Sequence, residues 1–253
     1  MKIEQFRQAR SEDLKIAAKV IENTFSGDIN TSPITIAAEL LKTHSPILKN
    51  GTTDADCWGY EITDLKIPVD TIKHIKPKEI INNKLELILN MKLIASFKDW
   101  ERLNDPFIEL NFNVIIRGIS IKENDEESHY FCFHIDKHDM AENSEEPHPI
   151  YHLQYSNNPY KSTNFNYGST LYIDTPRILH HPVDLILGIG FLTSNFFPSA
   201  FEAIMDDGFF PGLYKKYQDR IIKPYFHTLA SHWDYNKSNV VWKPTKDLCP
   251  FLI

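Results

Sequence analysis

The chain has 253 residues, 42% of them apolar and 24% charged, with a formal net charge of -7. That length can carry a sizeable core, and the composition is ordinary globular usage rather than that of a disordered or collagenous chain. The acidic balance argues against a protein that grips phosphate backbones over a broad face; only Lys215, Lys216, Arg220 and Lys223 cluster closely enough to suggest a local basic patch for nucleic acid.

The start, MKIEQFRQARSEDLK, carries charge where a signal peptide needs an apolar run, so no leader is expected. Ser11, followed by Glu12 and Asp13, reads as the N-cap of a first helix whose Leu14, Ala17, Ile21 and Phe25 share a face. Ser32-Pro33 opens a second helix to about Lys42, with proline in the first turn. A loop from Ser45 to Asp64 follows. Residues from Pro77 to about Leu103 then read as a long helix with Leu85, Ile88, Met91 and Ile94 or Ala95 inward.

Asp105-Pro106 ends that helix, and the period becomes two. Ile108, Leu110, Phe112, Val114 and Ile116 alternate with Glu109, Asn111, Asn113, Ile115 and Arg117, and the parity shift to Ile119 and Ile121 predicts a bulge at Gly118. Three more strands follow in HYFCFHID, PIYHLQYS and STLYID, joined by short or acidic linkers. Helices return with Pro182 to about Phe197, a capping box at Ser199 to Glu202, and a long helix from Gly212 to Trp233 that is kinked or split before Pro224. The run from Val183 to Phe197 is too short and too interrupted to span a bilayer, so no membrane association is expected. The expectation is a single α+β domain, residues 1–253. It is helical over 1–104, a four-stranded antiparallel meander over 105–176, and helical over 177–253.

If the apolar face of the meander packs on helices, the other face carries the chemistry. Glu109, Asn111 and Asn113 come from the first strand, and Tyr130, His134 and Asp136 from the second. His152 and Gln154 come from the third, and Tyr172 and Asp174 from the fourth. His148 stands just before the third strand; Arg177, His180 and His181 stand just after the fourth. Of 11 histidines, five (His134, His148, His152, His180, His181) fall between His134 and His181 when the linker residue His138 is set aside. Imidazoles with a carboxylate suit Zn²⁺, Mn²⁺ or Fe²⁺, which gives His134, Asp136, His148, His152, Asp174 and His180 as candidate metal ligands. The alternative is acid–base catalysis by His134, His152 and His181, with Tyr130 or Arg177 holding an anion. Either arrangement points to a hydrolase that cleaves phosphodiesters. A plain polar sheet face is the bland account of the same residues.

Weaker candidates surround these. Cys132 beside His134 could form a thiolate–imidazole pair but reads more simply as an inert core residue. Cys57, Cys132 and Cys249 are odd in number and widely spaced, which excludes a disulfide framework and a CxxC zinc site and favours a reducing cytoplasm. The row Tyr214, Tyr217, Ile221 and Tyr225 reads as packing, and Gly188 and Gly190 as points of close helix approach. Two other function classes fit the sequence: a non-catalytic subunit that binds a protein partner or a second copy, and a small-molecule or nucleotide sensor with an apolar pocket.

The order FHID, EPHPIYHLQY, LYIDTPRI, HHPVDLILGIGFLTSNFF resembles a family of uncharacterised bacterial proteins known as a domain of unknown function. In that family an Asp-bearing strand precedes His-Pro-x-x-His-Leu. A strand ending near a proline follows, and then an apolar helix ending Asn-Phe-aromatic. The matching residues are His134, Asp136, His148-Pro149, His152-Leu153, Pro176 and Asn195-Phe196-Phe197. The resemblance implies a bacterial origin, a shared motif for His148 and His152, and an accessory role of the defence or toxin type.

Overall fold

A computed structural model describes residues 2–25, 29–69, 85–122, 125–138, 149–155 and 176–231. Its first helix, α1 (Ile3–Thr24), begins a full two turns before Ser11, which lies mid-helix and fully buried rather than capping anything. The reason is packing. Phe6 extends the apolar face beyond Leu14, Ala17 and Ile21 and meets Trp58 and Trp100, with ring centroids 5.3 and 6.0 Å apart. Full burial of each such side chain contributes roughly 1.5–3 kcal/mol, which outweighs any benefit of starting at a good cap. Helix α2 (Ser32–Thr43) begins at Ser32-Pro33 as expected and lays Ile34, Ala37, Ala38 and Leu41 inward.

The sheet is larger than four strands. Among the described residues it has six, β1 (Cys57–Pro68), β2 (Glu86–Ser96), β3 (Phe107–Lys122), β4 (Asp125–Lys137), β5 (Tyr151–Gln154) and β6 (Ile178–Leu179). They lie in sequence order, each antiparallel to the next, so the meander expectation extends at both ends. The segments read as a loop and a long helix are therefore β1 and β2, and residues 1–104 are not all helical. In β2 the buried residues Leu87, Leu89, Met91 and Leu93 recur every second position. In β1 the same alternation is broken by a bulge between Ile62 and Leu65, where Asp64 takes a left-handed backbone (φ 54°) and donates its N–H to Asn90 Oδ1 at 3.0 Å. Trp58, Tyr60 and Ile62 before it and Leu65 and Ile67 after it all stay buried. One extra residue thus hides the period from any fixed two-residue count.

The bulge expected at Gly118 is absent. β3 pairs with β4 without interruption from Asn111 to Lys122, and Gly118 and Ser120 continue the buried face. Ile119 joins Ile115 on the other face, so the apolar pattern changes sides while the backbone does not. The expected strand at STLYID lies outside the described residues.

Between β2 and β3 stands the short helix α3 (Phe97–Arg102), capped by Ser96, whose Oγ accepts from Asp99 N–H at 3.2 Å. After β6 come α4 (Leu185–Phe196), α5 (Pro198–Met205) and α6 (Phe210–Tyr217). A π-helical turn, Gln218–Ile222, then leads into α7 (Lys223–Ser231). Asp184 caps α4 by accepting from Leu187 N–H at 2.9 Å, while Ser199 lies inside α5 and forms no capping box. The kink expected before Pro224 takes the form of this π turn. Proline cannot donate to the carbonyl of Arg220 four residues back, and the widened turn falls just ahead of it. Gly188 and Gly190 do allow close approach: a Cβ at either would collide with the Phe112 ring of β3 or the Tyr214 ring of α6. Helices thus cover one face of the sheet. Among the described residues no helix is long and apolar enough to cross a membrane.

Candidate metal centre

Side chains on directly paired residues of an antiparallel ladder point to the same face. The register therefore writes two polar rows across the face that the helices leave uncovered. One runs Glu61, Lys92, Asn111, Asp136, His152 over five strands; the other runs Asn90, Asn113, His134, Gln154 over four. Burial deepens along the first row. Glu61 is exposed, Lys92, Asn111 and Asp136 are half-buried, and His152 is only 4% exposed. His134, Asp136 and His152 meet where the rows end. They are the one group of three or more potential metal-ligating side chains among the described residues, with ligand atoms all within 4.8 Å of one another.

The geometry is close to what a cation needs. His152 Nε2 lies 3.1 Å from Asp136 Oδ1, and His134 Nε2 lies 3.7 Å from Asp136 Oδ2. The two imidazoles stand edge-on, with ring centroids 6.0 Å apart at 75°. Ligand atoms around a tetrahedral ion with bonds of about 2.1 Å sit roughly 3.4 Å apart, so small side-chain rotations would close the set. Asp136 Oδ1 is buried and accepts no hydrogen bond among the described residues, because the His152 ring approaches it out of line. A buried carboxylate oxygen in that state is costly and leaves a lone pair directed into the group.

Beside the trio the sheet face hollows into a cleft of about 310 Å³, lined by Glu61, Thr63, Asn90, Lys92, Glu109 and Asn111. Lys92 is held by Glu109 at 3.0 Å, and Asn113 donates to Asn111. Cys132 is buried on the same face, one pleat from His134, and is not part of the ligand group.

The other expected residues fare differently. His148, Tyr172 and Asp174 lie outside the described residues. Arg177 is exposed on the residue before β6, at the strand end that the register carries toward Gln154. His180 and His181 do not join the trio. His180 packs on Phe191 of α4 and His181 near Phe226 of α7, which puts both on the helical side of the sheet. Each Nδ1 faces a carbonyl, that of His181 and of Pro182 respectively, at 2.7 and 3.0 Å. Burial lowers both imidazoles, His181 to about 4, so they stay neutral near pH 7. The basic patch does not assemble either. Lys216 binds Asp13, Lys223 pairs with Asp219, and Arg220 lines a cavity elsewhere.

Glu61, Asn90 and Lys92 were missed because their segments read as loop and helix. The alternation Leu87, Leu89, Met91, Leu93 against Glu86, Asn90, Lys92 was the signal that could have placed them. No protein-family model matches the chain, and the searches of curated proteins and of solved structures found no match.

Proposed function

We propose that His134, Asp136 and His152 hold a divalent cation and that the protein is a metal-dependent hydrolase acting on phosphodiesters. The observation that carries this reading is the convergence of two imidazoles on a carboxylate whose buried Oδ1 has no hydrogen bond among the described residues. Three protein ligands leave coordination positions for water and substrate. Bound there, a cation supplies Lewis-acid polarisation of a phosphoryl oxygen and lowers the pKa of a bound water toward neutrality. His134 and His152 coordinate as neutral imidazoles, Asp136 supplies the negative charge, and Arg177 at the rim offers a fork for the anionic substrate. Two imidazoles and one carboxylate also suit iron(II), so the identity of the metal forms part of the test. A role in bacterial defence or a toxin-type system rests on the motif resemblance alone.

The test uses protein loaded in turn with Zn²⁺, Mn²⁺ or Fe²⁺ and a chromogenic phosphodiester, bis(p-nitrophenyl) phosphate. Turnover with at least one metal is expected. It should be lost in His134→Ala and His152→Ala while the circular dichroism spectrum stays native. Hydrolysis that persists in both folded variants, or that appears with no metal tried, sinks the proposal.

A further inference from the structure

The second cavity lies away from the trio, between the start of β3, the entry to β5 and the π turn with α7. It encloses about 690 Å³, within the range of small-molecule sites. Its walls are apolar: Phe107, Tyr151, Ile221, Pro224, Tyr225 and Leu229. Two polar features interrupt them. One is Arg220, half-buried and with no ion-pair partner among the described residues. The other is the Tyr225 hydroxyl, buried without a hydrogen-bond partner among the described residues. Nearby Asp105 is already engaged: Tyr151 donates to its Oδ1 at 2.5 Å, and Lys137 donates to its Oδ2 at 2.9 Å. The acid in the lining is thus neutralised, and Arg220 contributes the charge left uncompensated among the described residues.

The placement of Arg220 follows from the backbone. It sits inside the π turn, where one extra residue per turn rotates side chains relative to a regular α-helix, and such turns recur at functional sites. The π turn that Pro224 imposes sets Arg220 and Ile221 on the cavity wall.

We infer that this cavity binds an amphipathic organic anion, with an apolar body between Ile221, Leu229 and Phe107 and its carboxylate on Arg220. Burying an apolar chain of several methylenes drives association through the hydrophobic effect, and the guanidinium supplies the selectivity for a negative head group. The site is independent of the metal centre, so either can fail alone.

Decanoate, 1-decanol and decyltrimethylammonium serve as probes in titration calorimetry with the full chain. The expected result is saturable binding of one decanoate per chain, at least tenfold tighter than decanol, with no binding of the cation. Arg220→Gln should bring decanoate to the level of decanol, and Arg220→Lys should restore part of the difference. Leu229→Trp, which fills the cavity without touching Arg220, should abolish binding of both decanoate and decanol in a protein whose thermal unfolding is unchanged. Equal affinity for all three probes, or decanoate binding undiminished in folded Arg220→Gln and Leu229→Trp, overturns the inference. So does absence of decanoate binding, including the case in which the chain proves dimeric through this face.

Discussion

Two clusters of ionisable groups lie on opposite faces of the same sheet, and they treat their carboxylates in opposite ways. On the helical side Asp13 of α1 has both oxygens engaged. Arg10 sits 2.9 Å from Oδ2, Lys216 reaches both oxygens at 3.2 and 3.0 Å, and the Tyr217 hydroxyl donates to Oδ2 at 3.0 Å. Arg10 is itself ringed by Phe6, Trp100 and Tyr217, with its guanidinium 5.1 to 5.6 Å from their centroids. On the outer face Asp136 is half-buried, and its Oδ1 accepts nothing among the described residues although two imidazoles lie beside it. A carboxylate with both oxygens engaged by cationic and hydroxyl donors is part of the framework. One that is held among imidazoles with a lone pair left over has capacity for a ligand. Burial alone would have ranked the two sites the wrong way round.

That contrast can be broken at either end. The largest stability effect belongs to the inner site. Asp13→Ala leaves Arg10 buried without its counter-charge and should cost about 3–5 kcal/mol in urea unfolding. A loss under about 1 kcal/mol would show that the aromatic rings alone suffice for Arg10.

Asp184 comes next. It is fully enclosed, and burial raises its carboxyl to about 7 despite the helix N–H it accepts; Arg10 and Asp13 of α1, Tyr60 of β1 and Tyr217 of α6 face it. A carboxyl whose folded pKa is raised binds its proton more tightly in the folded state. Stability should therefore fall as pH rises from the unfolded value near 4 to about 7, then level off. Asp184→Asn keeps the cap acceptor and should remove that slope; an unchanged slope in the variant would assign it to another group.

The smallest effect is expected on the outer face. Asp136→Asn, with metal absent, should change stability by less than about 1 kcal/mol, because among the described residues its charged neighbours are the two imidazoles, with no lysine or arginine on it. A loss as large as that of Asp13→Ala would make the outer trio structural too.

Much of this was legible in the sequence where a strict period ran uninterrupted. Phe112, Val114, Phe133 and Ile135 alternate so regularly that their faces, and hence the shared face of His134, Asp136 and His152, followed directly. The trio was readable because side chains two apart on a strand must point the same way. β1 escaped because Asp64 inserts one residue into its alternation. β2 escaped because Ile88 and Ile94 supply apolar residues at helical spacing as well. His180 and His181 could not be excluded from the trio by spacing, since the two-residue β6 and the approach of Phe191 and Phe226 decide their side. The inner network joins Asp13 to Lys216 across 203 residues, and no local pattern announces such a contact.

The measurement that bears most directly on the account is elemental analysis of untagged protein purified without chelator, alongside His134→Ala and His152→Ala. The account predicts close to one transition-metal ion per chain in the unaltered protein and its loss from both folded variants. A chain that takes up no ion even after incubation with Zn²⁺, Mn²⁺ and Fe²⁺, or variants that retain it, would contradict the assignment of the outer trio as a metal centre.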